Sequence, residues 1–186
     1  MRVSFLLFLF FTLSARAETY IIQNDLSRLE FFARQNQAEI AGQFTDFSGR
    51  ITFHEDNLAE SKVEVIINLK AITTAYQAVA DNLQQPDWLD SAAFPEAIFT
   101  GEKFILSSAE NFQYQIDGRL TIKGKSQPIT LYFNIEQADG KLAKAQGQAS
   151  LKRKDYQIGW ADSKTVANLV KLNFAIIAAI EVDPIL

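Results

Sequence analysis

The chain has no cysteine. That removes disulfides, thiolate nucleophiles and sulfur-bound structural zinc, so burial and hydrogen bonding must hold the fold together. Lipid attachment through a processed N-terminal cysteine is excluded as well. Histidine is nearly absent: His54 is the single one, beside Glu55 and Asp56. One imidazole without a thiolate makes a poor transition-metal cage, and His54 reads as a turn residue. A Ser-His-Asp arrangement would have to use this same histidine, and no Gly-x-Ser-x-Gly elbow accompanies it. A phosphate-cradling glycine loop is missing too. Glu55 and Asp56 are sequence neighbours that would point apart on a strand. No catalytic residue is nominated, and neither metal nor cofactor is expected.

Long hydrophobic runs are confined to the start. Met1-Arg2 carries a positive charge, Val3 to Leu13 is almost unbroken in its apolarity, and Ala15-Arg16-Ala17 offers small residues at a cleavage site. This is the layout of a secretory signal, with cleavage expected after Ala17 and a periplasmic product. The competing reading is an uncleaved anchor, for which the run is short. Residues 18–186 then form one domain, long enough for a substantial core. Basic residues are the minority. Without Arg2 and Arg16 the 18 Lys and Arg become 16 against 22 Asp and Glu, a net charge of −6. That argues against a nucleic-acid partner, whose affinity comes largely from phosphate neutralisation. The one basic cluster, Lys152-Arg153-Lys154, reads as a solvated strand end or turn.

What the chain has in abundance is alternation of period two. Val63, Val65, Ile67 and Leu69 form one stripe, and Phe112, Tyr114, Ile116, Gly118, Leu120 and Ile122 a second. Ile129, Leu131, Phe133 and Ile135 form a third, with Tyr132 on the opposite side. The last runs through Val170, Leu172, Phe174, Ile176, Ala178, Ile180 and Val182. Weaker strands are read at Thr19 to Ile22, Leu29 to Gln35, Ala97 to Phe104 and Ala145 to Arg153. Each pattern suits an antiparallel sheet with one wet face.

Between Ile40 and Phe53 the parity switches: Ile40 and Phe44 are even, whereas Phe47, Ile51 and Phe53 are odd. A straight strand cannot face both sets inward, so a bulge or bend is expected near Thr45-Asp46, eased by Gly42 and Gly49. Lys123-Gly124-Lys125-Ser126 and Asp139-Gly140-Lys141 read as hairpin turns. Residues 73–94 break the β pattern. Thr73 or Thr74 can cap a short helix carrying Tyr76, Val79, Ala80 and Leu83 at helical spacing, with Pro86 beyond its end. About eight strands and one helical insertion favour an all-β, closed antiparallel barrel, which leaves no free edges. A two-sheet sandwich is the alternative.

Aromatics are plentiful. Four of the 15 Phe lie in the leader, and both Trp and all five Tyr lie after it. A barrel of about eight strands either fills its interior with such side chains or holds one ligand, and periodicity does not choose between the two.

An ordered set of short motifs resembles the YceI-like family. Ser27-x-Leu29-x-Phe31 is followed by Gly42-x-Phe44-x-x-Phe47-x-Gly49-x-Ile51-x-Phe53. Next come Asp81-Asn82-Leu83, Pro86-Asp87-Trp88-Leu89-Asp90 and Phe94-Pro95-x-Ala97-x-Phe99. Gly118-x-Leu120-Thr121-Ile122-Lys123-Gly124, Arg153-x-Asp155-Tyr156-x-Ile158-Gly159 and Val170-x-Leu172 complete it. The resemblance spans nearly all of residues 18–186. It implies a periplasmic, lipocalin-like eight-stranded barrel with an apolar tunnel for long isoprenoid or acyl chains, polyprenyl and quinone-type lipids among them. It also implies frequent homodimers and no metal. The Pro-Asp-Trp and Arg-x-Asp-Tyr forms look like a branch associated with cytochrome b561-type membrane proteins, which implies such a cytochrome as a partner. Gln35 stands where many relatives carry His, and Trp160-Ala161-Asp162 follows Gly159 sooner than in relatives, so no head-group contact is carried over at either place.

On this reading the tunnel is lined by Phe31, Phe44, Phe47, Ile67, Phe99, Tyr114, Ile116, Leu131, Phe133, Leu172 and Phe174. Tyr114 is the candidate polar handle along the bore. Tyr76, Val79, Leu83 and Trp88 are candidate lid residues. Burial of about ten methylenes at roughly 0.8 kcal/mol each would hold a lipid without a polar anchor. A lipid carrier is expected first and a filled-core interaction module accessory to a membrane cytochrome second. An enzyme on a hydrophobic substrate comes third, because it needs paired ionisable groups facing inward.

Overall fold

The computed structural model describes residues 18–138, 141–159 and 165–181. The leader, the Asp139-Gly140 part of one expected turn, Trp160-Ala161-Asp162 and Val182 lie outside the described residues.

Among the described residues, eleven strand segments form one antiparallel sheet: β1 (Glu18–Ile22), β2 (Arg28–Gln35), β3 (Ala38–Phe44), β4 (Phe47–Phe53), β5 (Lys62–Asn68), β6 (Ile72–Thr74), β7 (Glu96–Leu106), β8 (Tyr114–Ile122), β9 (Lys125–Ala138), β10 (Leu142–Lys152) and β11 (Leu169–Ile180). Among the described residues one α-helix, α1 (Gln77–Leu83), lies between β6 and β7. The ring runs β1-β4-β5-β7-β8-β9-β10-β11 and returns to β1 through Tyr20↔Ile180 and Ile22↔Ala178. This is a closed eight-stranded barrel, and the sandwich alternative is set aside.

The additional segments are the upper halves of bent strands. Along one edge β11 pairs first with β2, Leu172 opposite Phe31, and then with β1. β3 pairs with β2 while β4 pairs with β1, and β6 continues the pairing onto β3. The break between β3 and β4 falls at Thr45-Asp46, where the parity switch requires it. Side chains repair the broken ladders. The Asn24 amide donates to the Thr45 carbonyl (3.0 Å) and its Oδ1 accepts from the Phe47 N–H (3.0 Å). The buried Ser27 Oγ accepts from the Ile177 N–H (3.0 Å) and donates to the Gln23 carbonyl (2.7 Å). Buried backbone groups at a bend thus stay paired, as they must.

The β8–β9 hairpin closes through Lys123 and Gly124, at φ +51° and +67°. Two successive positive φ values define the tight turn whose twist matches the flanking strands. Phe112 lies before β8 rather than in it, and packs on the outward Tyr132 at 5.9 Å between ring centroids. The second stripe is therefore one residue pair shorter than the alternation suggests. The helix differs in its start as well. Its N-cap is Tyr76, in an extended conformation, and Thr74 donates its hydroxyl to the Tyr76 carbonyl (2.7 Å) instead of capping.

Candidate functional site: an apolar bore

Alternation sends one face of each strand to the barrel axis, and that face is aliphatic and aromatic throughout. Phe47, Phe99, Phe104, Ile116, Leu120 and Phe133 are almost fully buried. Ile51, Val65, Ile67, Leu131, Ile135, Leu172 and Phe174 also face inward, yet remain only half-buried. The surface they keep faces a hollow interior. Two cavities lie along it, one of about 170 Å³ in the body of the barrel and one of about 120 Å³ toward α1.

Glycines keep rings against the wall. The Phe31 ring lies over Gly42, where a Cβ would stand 2.2 Å from its Cζ, and the Phe174 ring lies over Gly147 at 2.3 Å. A ring that covers a glycine leans along the sheet and not across the bore, in the manner of an aromatic filling the gap left by a missing side chain.

All but one of the residues expected to line the tunnel meet these cavities. Phe47, Phe99, Ile116, Leu131, Phe133 and Phe174 border the larger, Phe31 and Phe44 the smaller, and Ile67 and Leu172 both. Tyr114 does not. It is stacked on Phe133 (5.3 Å) and meets Phe53 edge-on (5.5 Å), so it belongs to an aromatic cluster at the end away from α1. Burial, and then the nearby Glu55 carboxylate, raise its hydroxyl pKa above the ordinary value. Alternation also placed Leu120 and Ile176 on inward stripes, and they line the bore too, as does Leu29.

The α1 end is covered by residues 75–95. Leu83 and Trp88 border the smaller cavity, joined by the buried Leu89. Tyr76 does not belong to the cover, since it is 73% exposed. It precedes the helix, so helical spacing counted from it assigns the wrong face. Val79 is half-buried and outside both cavity walls. The cover is tied down: Lys123 donates its ammonium to the Pro86 carbonyl, and the Gly159 N–H donates to the Asp87 carbonyl (2.7 Å).

The basic cluster is the main departure from expectation. Lys152 is solvated, but Arg153 is only 2% exposed. Its guanidinium donates to the carbonyls of Ile158 (2.7 Å), Gly159 (2.6 Å), Val166 (2.7 Å) and Ala167 (3.0 Å). It also lies 5.7 Å from the centre of the Trp88 ring. Five donors in a rigid fork suit such a cradle, and the stacked face suits a weakly hydrated cation. Charge alone pointed to solvent; the Arg153-x-Asp155-Tyr156-x-Ile158-Gly159 motif was the available signal for a structured loop. Beside it, burial pushes the Tyr156 hydroxyl up to about 12, with Asp155 adding to the shift and Arg119 opposing it.

The walls offer little chemistry: Arg153 borders the smaller cavity, but its guanidinium is taken up by the four carbonyls. Lys144 borders the larger cavity between Ala143 and Ala145, but it stands opposite Ile177, whose neighbours Ile176 and Ala178 face the bore. Alternation therefore turns its ammonium outward. Among the described residues no three His, Asp or Glu side chains come together as a metal site.

Protein YceI of Escherichia coli O157:H7 is 34% identical over 122 residues, which is 63% of this chain and 62% of that protein. Protein YceI of Salmonella newport is matched to the same extent. The match thus spans somewhat under two thirds of these curated relatives. BcnA of Burkholderia cenocepacia has a similar structure, with a TM-score of 0.77 at 24% identity over 85% of this chain and 99% of that one. A polyisoprenoid binding domain from Saccharophagus degradans, implicated in plant cell wall breakdown, superposes with a TM-score of 0.68 at 14% identity, covering 87% and 98%. The YCEI protein of Campylobacter jejuni gives 0.64 at 29% identity, covering 76% and 85%. A YceI-like domain is matched across residues 20–178, so a closed barrel with an apolar bore is here the fold of a member of the YceI-like family.

Proposed function

We propose that this protein is an exported, non-catalytic carrier that holds a long-chain isoprenoid or similar lipid inside the barrel. The observation that carries the reading is the pair of cavities inside the barrel, lined predominantly by apolar side chains. Such a space favours an apolar guest at roughly 25 cal/mol per Å² of surface removed from water. Family membership supports it, as does the fold shared with a domain described as polyisoprenoid binding. A binding role in preference to catalysis rests on walls that present aliphatic and aromatic groups where acid–base chemistry would need paired ionisable ones. The filled-core interaction module is disfavoured by the same cavities.

Export rests on the Met1–Ala17 leader, with cleavage after Ala17 and a periplasmic product as parts of this proposal. Quinone-type tails are candidate cargo. A b561-type membrane cytochrome is a candidate partner on the strength of the Pro86-Asp87-Trp88 and Arg153-x-Asp155-Tyr156 motifs, and a homodimer is a candidate assembly. The test is native mass spectrometry of the protein purified from the exported fraction, followed by organic extraction. A co-purifying lipid of one chemical class is expected. Repeated recovery of empty barrel that takes up no added prenol would overturn the carrier reading.

A further inference from the structure

The two cavities share four wall residues: Leu29, Ile67, Leu120 and Leu172. Shared residues mark the level at which the two cavities adjoin. Leu29, Ile67 and Leu120 come from alternate strands of the ring (the bent β1–β2 strand, β5 and β8), and Leu172 comes from β11 beside the first. A layer of side chains drawn largely from alternate strands is how small barrels fill their cross-section. Here the layer is wholly aliphatic, without a ring or a polar group. Leu120 is 4% exposed and held in the core, while Leu29, Ile67 and Leu172 keep surface toward the cavities.

The dimensions give the layer a consequence. β11 has 12 residues, which is about 40 Å of strand at roughly 3.3 Å per residue. At a tilt of about 40° the bore is roughly 30 Å long. Leu172 is the fourth residue of β11, so the layer divides that length unevenly, with roughly 20 Å on the side of the larger cavity and roughly 8 Å on the side of the smaller. A longer chain must pass the layer.

We infer that Leu29, Ile67, Leu120 and Leu172 form a yielding waist that sets which tail lengths the barrel accepts. Tails that fit one compartment bind without moving the waist, and longer linear chains bind by displacing Leu29, Ile67 and Leu172 against the anchored Leu120. This inference rests on the carrier reading and adds the specificity-determining residues to it.

The test compares farnesol, which fits one compartment, with solanesol, which must span both, by displacement of a fluorescent apolar probe from the full exported chain. Leu172→Phe narrows the waist and Ile67→Ala widens it. Excluding even two methylenes from burial corresponds to about tenfold in affinity. The ratio of solanesol to farnesol affinity is therefore expected to fall about tenfold or more in Leu172→Phe and to rise in Ile67→Ala. If Leu172→Phe does not fold, the rise in Ile67→Ala carries the test alone. A ratio that stays at its parent value in every folded variant overturns the waist and leaves the carrier reading standing. A parent protein that binds neither prenol overturns the carrier reading itself.

Discussion

Replacing Arg153 by methionine keeps most of the side-chain length and removes the guanidinium. The Ile158 and Gly159 carbonyls then lose a donor in a buried setting, at about 1–3 kcal/mol for each group left unsatisfied. The partly buried Val166 and Ala167 carbonyls regain water more readily. Loss of the cation over Trp88 adds about 0.5–2 kcal/mol. The total is a destabilisation of about 3–8 kcal/mol, and a barrel of this size should melt at least roughly 10 °C lower. Arg153→Lys should fall between parent and methionine, because an ammonium has three donors and no fork to divide among four carbonyls. Urea denaturation of the three proteins measures the energies. Hydrogen exchange should localise the lost protection to residues 153–159 and 165–167. If Arg153→Met lies within about 0.5 kcal/mol of the parent, the cradle is not what holds this loop, and the account of the buried charge is wrong.

Gly42→Ala should cost about 1–3 kcal/mol through overpacking, because the new methyl meets both the Phe31 ring and the Thr73 carbonyl; combining it with Phe31→Leu should recover part of the loss in the same denaturation assay. Tyr156 should ionise late, near pH 12. With its folded pKa above the unfolded value of about 10, it contributes stability that is complete below pH 10 and is lost as pH rises toward 12; a tyrosinate absorbance titration of parent and Tyr156→Phe should show the late step vanish. Ser27→Ala leaves the Ile177 N–H without its acceptor and should cost about 1–3 kcal/mol in the same urea assay. Trp88 borders the smaller cavity, so in a Trp160→Phe background its fluorescence should be quenched by a brominated lipid; unchanged emission at saturating lipid would place the guest elsewhere.

Local pattern was enough to reveal much of this molecule. A strand exposes its alternation directly, so the inward faces of β5, β8, β9 and β11 were readable residue by residue. The bend at Thr45-Asp46 followed from parity alone, because one face cannot hold Phe44 and Phe47 on a straight strand. Tyr76 was misread because helical spacing does not mark the residue at which a helix begins, and the extended N-cap lies one position before the first turn. Arg153 was misread because charge sets a cost of burial but says nothing about which carbonyls will offset it. Those carbonyls lie five to fourteen residues further along the chain.

The sequence by itself determined the β class, the faces of the strands, the bend between β3 and β4 and the apolar character of whatever those faces enclose. Family resemblance in its motifs added the tunnel as an expectation. Closure of the ring through β1 and β11 was decided in three dimensions, since alternation says which way a side chain points and not which strand lies beside it. So were the two cavities and the waist between them. A hollow is the difference between the circumference that eight tilted strands impose and the volume their inward side chains occupy. No single stretch of sequence contains that difference.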